Sequence, residues 1–174
     1  MTAAAASIHV CPLSRLPATL AASGAGSVVT LLARDGPAAL PPLHEFRHLV
    51  LDMADIAAPL GHHTLPGKGH IADLLAFVTA WDRRAPLLIH CYAGVSRSTA
   101  AAFATLASLC PGIGEAELAN RLRSASPSAT PNARIVALAD AALGRAGRMV
   151  DAIQAIGRGR DCFEGEVFHL DLPA

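Results

Sequence analysis

Short, nearly uninterrupted apolar runs alternate along this chain with longer stretches whose apolar residues return every three or four positions. The short runs are 8–13, 28–32, 46–51 and 87–90. Apolar segments of this length and continuity read as strands covered on both faces, the pattern of a parallel sheet between helices. An Ala/Leu-rich stretch, 14–22, separates the first two. Ile71, Leu74, Leu75, Val78 and Trp81 recur at helical spacing, which predicts a helix over 70–83 with one buried face. Residues 98–109 are apolar or small all round, so that helix belongs at the centre of the fold. A helix over 115–125 carries Glu115 and Glu117 early and Arg121 and Arg123 late, in agreement with its dipole. Asn132 is placed to cap another helix with the stripe Ile135, Leu138, Ala139 and Ala142, closed by Gly144. A last helix, 148–156, runs into Gly157. The sum is one α/β domain over 1–174, with a mainly parallel central sheet of about four to five strands flanked by helices.

Composition narrows what this domain can do. The 14 basic and 14 acidic residues cancel, so no overall field favours nucleic acid or an anionic membrane, and neither is expected as a partner. Recognition of an anion must be local. Residues 16–33 and 98–114 are uncharged, but Pro17 with the Ser23–Ser27 glycine-rich turn, and Cys110-Pro111-Gly112, break them short of a bilayer span. The N-terminal segment lacks the basic start of a secretory signal. Cys11, Cys91, Cys110 and Cys162 form no CxxC pair or metal-ligand spacing, which fits free thiols and a reducing, cytoplasmic setting.

The segment Ile89-His90-Cys91-Tyr92-Ala93-Gly94-Val95-Ser96-Arg97-Ser98 carries the chemistry. It joins a buried strand to a buried helix, so it lies at the carboxyl end of the sheet, where α/β ligand sites occur. The helix start offers unpaired N–H groups and partial positive charge. A loop of small residues can turn its own amides inward, and Gly94 can take positive φ. Arg97 can hold two oxygens of a tetrahedral oxyanion with its planar fork. A phosphate group is the simplest such anion. Cys91 would then sit beneath the phosphorus, where the same dipoles and Arg97 favour its thiolate and aim it for in-line attack.

His90-Cys91-x-x-Gly94-x-x-Arg97-Ser98 resembles the HCxxGxxR[ST] signature of the protein tyrosine phosphatases, in particular their compact dual-specificity-type branch and its small bacterial relatives. The segment Ser126-Pro127-Ser128-Ala129-Thr130-Pro131-Asn132 resembles that branch's connection ending in Pro-Asn before a helix. With the upstream aspartates the likeness spans residues 8–143, leaving 144–174 as a C-terminal helix and tail. The resemblance implies a cysteine-based phosphatase architecture and a two-step hydrolysis of a phosphorylated protein or small phosphomonoester. Cys91 would form a thiophosphate, and the loop amides of Tyr92, Ala93, Gly94, Val95, Ser96 and Arg97 would hold the phosphoryl oxygens together with the Arg97 side chain. Ser98 would assist thiolate departure, and His90 would support the loop. No metal or organic cofactor is implied.

The leaving oxygen needs a proton, usually from a carboxylic acid on a nearby loop. Asp52 and Asp55 follow the 46–51 strand, and a parallel neighbour of the Cys91 strand delivers both to the same sheet edge. Family members carry this acid a few residues before a proline. Asp55, four before Pro59, fits better than Asp52, which ends the strand. His62, His63 and His70 read as a solvated loop, because adjacent histidines do not easily share one ligand face. Lys68 reads as a surface residue, Tyr92 as a ring packed behind the loop, Cys11 and Cys110 as core, and Arg145, Arg148, Arg158 and Arg160 as a solvated basic end. Competing functions are a phosphoinositide or other non-protein phosphatase and a phosphate-binding module with little turnover. The absence of lysine between Cys91 and Arg97 weighs against the lipid enzyme, and the intact Cys91, Arg97 and Ser98 weigh against the binder.

Overall fold

A computed structural model describes residues 6–36 and 39–173. Five strands, β1 (Ser7–Pro12), β2 (Ser27–Leu32), β3 (Arg47–Asp52), β4 (Leu87–Cys91) and β5 (Phe168–Asp171), form one sheet in the order β3-β2-β4-β1-β5. The first four run parallel, and β5 runs antiparallel to β1. Parallel strands bring their C-terminal ends to one edge. The registers Pro12↔Cys91 and Leu32↔Asp52 therefore gather the ends of β1, β2, β3 and β4 at the place where a strand-to-helix loop can build a site.

The helices are α1 (Leu16–Ser23), α2 (Lys68–Thr79), α3 (Arg97–Leu109), α4 (Glu115–Ala125), α5 (Ala133–Ala142) and α6 (Arg148–Ile156). One sheet face packs against the large core. There Val10, Val29, Leu31, Leu51 and Ile89 meet Ile71, Leu74 and Val78 of α2 and Phe103 and Leu106 of α3. The other face carries Cys11, Val28 and Leu88 against Leu16 and Leu43. The sheet is thus covered on both sides, as its continuous apolar strands require.

Helix α3 is buried from Arg97 to Ala107. Its alanines let α2, α4 and α5 pack closely around it, the layout expected of a helix that is apolar all round. Asn132 caps α5 by accepting from the Arg134 and Ile135 amides, and Gly144 takes φ +64° just beyond its end. Trp81 lies two residues past α2 and donates from Nε1 to Ala85 O at 2.9 Å, buried as the stripe predicts.

The C-terminal region departs from the expectation of a helix and tail. Phe168 and Leu170 point inward and His169 and Asp171 outward on β5. Four residues are too few for this alternation to stand out in a sequence, and the edge it pairs with, β1, is distant in sequence. Arg145 is likewise not a solvated end, and Arg148, though 55% exposed, is tied down by its head group. Both pair with the buried Glu115 at the start of α4, at 3.1 and 3.2 Å, and Arg145 also donates to Ala107 O. With its own amide and these arginines as donors, the Glu115 carboxyl is held below the usual range despite its burial.

Candidate active site

The loop between β4 and α3 is shaped by how its carbonyls are used. Tyr92 O accepts from Leu13 N–H at 3.0 Å, Ala93 O from Gly165 N–H at 2.8 Å and Val95 O from Thr130 N–H at 2.9 Å. Ser96 O accepts from Ala100 N–H and Asn132 N–H, and Thr99 Oγ1 donates to Val95 O and Ser96 O. Among the described residues, the amides of Ala93, Val95 and Ser96 donate to no protein acceptor. A loop with every one of these carbonyls taken from outside and its amides free has the character of an anion nest. Gly94 is required by the close approach of β1. It has φ +70°, and a Cβ there would meet Pro12 N at 2.7 Å and Cys11 C at 2.9 Å.

Cys91 is buried at the base of this loop. Its Sγ accepts from Gly94 N–H at 3.3 Å and lies 3.1 Å from Ser98 Oγ. Arg97 is buried at the first position of α3, where Nη1 donates to Met53 O at 2.8 Å and Nε has no partner. A buried guanidinium N–H left unbonded is costly unless a ligand accepts from it. His90, fully buried, lies 2.7 Å from Thr30 Oγ1 through Nε2, and Thr30 Oγ1 in turn lies 2.8 Å from His48 Nε2. Burial, with a smaller contribution from His48, lowers the His90 pKa to about 4, so its ring is neutral at ordinary pH.

The two candidate acids separate cleanly. Asp52 is engaged by Arg34, whose backbone N–H donates to Oδ1 at 2.9 Å and whose Nε lies 3.4 Å from Oδ2. Asp55 instead reaches the loop. Its Oδ1 accepts from Ser96 Oγ at 2.7 Å and from Asn132 Nδ2 at 2.8 Å. Asn132 therefore acts at both ends, with Oδ1 capping α5 and Nδ2 fixing the Asp55 carboxylate. Both bonds fall on Oδ1, and among the described residues Oδ2 has no hydrogen-bond partner. The structure thus brings Cys91, Arg97, Ser98 and Asp55 together and turns Asp52 aside.

No family model matches the sequence, and no curated protein matches it significantly. Solved structures do. Human tyrosine phosphatase-like serine/threonine/tyrosine-interacting protein superimposes with a TM-score of 0.64 at 20% identity, over 80% of this chain and 92% of that one. Human DUSP28 gives 0.62 at 20% identity, over 80% and 89%. Tk-PTP, in its active form, gives 0.57 at 19% identity, over 81% and 92%. The fold is that of the dual-specificity phosphatases.

Within that dual-specificity phosphatase fold, several residues depart from the sequence reading. Tyr92 does not pack behind the loop but stands 46% exposed beside it. His70 is not simply solvated, since its Nδ1 accepts from Gly67 N–H at the start of α2. His62 and His63 do share a face, because a tight turn brings both to Asp35. Lys68 is exposed, and Cys11 and Cys110 are buried. Burial pushes the Cys11 thiol up to about 11, so it stays protonated at the back of the site.

Thr30, Met53 and Gly165 went unrecognised in the sequence. Thr30 meets His90 by cross-strand register, and Met53 contributes only a backbone oxygen. Gly165 follows α6, where the segment from Gly157 turns back along the loop. Gly159 N–H donates to Thr130 Oγ1, Arg160 N–H to Pro127 O and Gly165 N–H to Ala93 O. A Cβ on Gly165 would meet Gly94 O at 2.9 Å. No local pattern signals such a contact. Among the described residues, no helix is long and apolar enough to cross a membrane.

Proposed function

We propose that the chain is a cysteine-dependent phosphomonoester hydrolase acting on a phosphorylated protein or a small phosphomonoester. The observation that carries this reading is the buried, unpartnered Nε–H of Arg97 together with the free amides of a loop whose Gly94 N–H donates to the Cys91 sulfur. That donor set suits three phosphoryl oxygens, and Sγ then lies in line with the ester bond on the far side. Cys91 Sγ attacks phosphorus, and the ester oxygen leaves with a proton from Oδ2 of Asp55. Water, deprotonated by the same carboxylate, then attacks the phosphocysteine and releases phosphate. Ser98 Oγ donates to the sulfur as it departs, a role supported by its 3.1 Å separation. The free loop amides and Arg97 meet the charge of both transition states. Four free cysteines are consistent with a reducing, cytoplasmic setting.

The test is hydrolysis of para-nitrophenyl phosphate without added metal by the parent and by Cys91→Ser, with orthovanadate affinity measured on both. The expected result is turnover in the parent alone and vanadate binding retained by the variant. A folded parent that binds vanadate without turnover would make the chain a phosphate-binding module. Turnover that survives Cys91→Ser would sink the mechanism.

A further inference from the structure

A cluster of side chains with metal-ligating donor atoms lies at the far end of the segment that carries Asp55. Residues 60–63 make a turn in which His63 N–H donates to Leu60 O at 3.2 Å and Gly61 takes φ +52°. The left-handed residue reverses the chain, so the next two rings do not project to opposite sides as they would on a strand. Their centroids are 4.7 Å apart, with the planes inclined at 31°. Both rings approach the same oxygen of Asp35, on the connection after β2. His62 Nε2 lies 3.6 Å and His63 Nδ1 3.3 Å from Asp35 Oδ2, and the three donor atoms all fall within 4.8 Å of one another.

These separations are long for N–H···O hydrogen bonds. The two histidine–aspartate separations are close to the roughly 3.3 Å between neighbouring ligand atoms on a tetrahedral Zn²⁺ with bonds of about 2.0–2.1 Å. The neighbouring cation does not compete for the carboxylate, because Arg34 is drawn to Asp52. Two imidazoles and one carboxylate form a donor set for a borderline transition metal rather than for Mg²⁺ or Ca²⁺. We propose that Asp35, His62 and His63 bind a divalent transition metal of the Zn²⁺ class at the protein surface, with solvent completing its coordination.

Such an ion would join two connections at the catalytic edge of the sheet. The neck of the 54–64 segment is already closed by Ala54 N–H donating to Thr64 O at 2.8 Å. The metal would fasten its tip to the β2–β3 connection and restrain the segment that carries Asp55. The side chains of Asp35, His62 and His63 are 45%, 85% and 41% exposed, so an ion has open access and the protein fold does not depend on it.

The full chain, stripped with a chelator, is titrated with Zn²⁺ in competition with a chromophoric chelator, and with Co²⁺ followed by absorption. One site is expected whose Co²⁺ spectrum lacks the near-ultraviolet thiolate band. Asp35→Asn and His63→Ala, checked for folding by circular dichroism, should each weaken it about tenfold or more. Cys91→Ser and Cys162→Ser should leave it intact. No binding by the parent, binding that survives both ligand substitutions, or binding lost in the cysteine variants overturns the proposal. Saturating Zn²⁺ should also slow amide exchange over 54–64 in the parent but not in His63→Ala. Unchanged exchange in the parent would overturn the restraint, whatever the affinity.

Discussion

The two loops that meet at the candidate site are held in opposite ways. The loop 92–96 is fixed through its backbone, with carbonyls taken by Leu13, Gly165, Thr130 and Asn132 from three separate parts of the chain. The Asp55 loop is closed at its neck by one backbone bond and meets the site mainly through side chains, Ser96 and Asn132 on Asp55 and Arg97 on Met53 O. A group that binds the same phosphoryl oxygens in every step gains from rigidity. A group that gives up a proton and later takes one back must let substrate enter beside it. The fold therefore gives its long-range backbone–backbone hydrogen bonds to the first loop and holds the second through side chains. Arg97 belongs to both, since one nitrogen holds the Asp55 loop through Met53 O while another has no partner among the described residues.

The sharpest way to break this comparison is Arg97→Ala, which removes the link between the loops along with the anion clamp. Turnover of para-nitrophenyl phosphate should fall by about 10²–10³-fold or more, with vanadate affinity reduced in parallel. Unaltered vanadate affinity would mean that the backbone amides alone bind the anion. Asp55→Asn tests the side-chain-held loop alone. It should slow alkyl phosphates by about 10²-fold and para-nitrophenyl phosphate far less, because a good leaving group needs little protonation. An equal loss on both substrates would assign Asp55 a structural role.

Gly165→Ala tests the rigid side from its least expected anchor. The added methyl has to displace Gly94 O, at a cost of about 1–3 kcal/mol in chemical-denaturation stability. Vanadate affinity should weaken with it, whereas the preference among leaving groups, which reports on Asp55, should not change. A stability loss with undiminished vanadate affinity would show that the C-terminal segment does not shape the loop.

The smallest expected effect is on pH dependence. His90 keeps its proton off until about pH 4 when folded, whereas an ordinary histidine takes it up near 6.5. As pH falls below about 6.5 the unfolded chain binds the proton first. Stability should therefore decline through that window by up to about 1.4 kcal/mol per pH unit for this group. His9 and His48, both lowered chiefly by burial, act in the same direction. Unfolding midpoints from pH 7.5 to 5 should slope downward in the parent and less steeply in His90→Asn.

Local sequence determined a good deal of this. Apolar runs and helical stripes specify four of the five strands and all the helices from α2 onward, because burial writes its period directly into the residues it covers. The Cys91–Ser98 segment specifies its own loop as well, since glycine, small residues and a helix start are local requirements. Tertiary structure decided the rest. Which aspartate reaches the Cys91–Arg97 loop depends on Arg34 drawing Asp52 away and on Asn132 reaching Asp55 across 77 residues. The neutral state of His90 depends on burial beside Thr30 and His48, which register alone brings near. The bracing of Ala93 by Gly165 depends on a chain reversal after α6 that a backbone N–H and an absent side chain cannot announce. A hydrogen bond between distant backbone groups leaves almost no mark on residue identity, so the anchors of the rigid loop were the part of the site that only the folded chain could reveal.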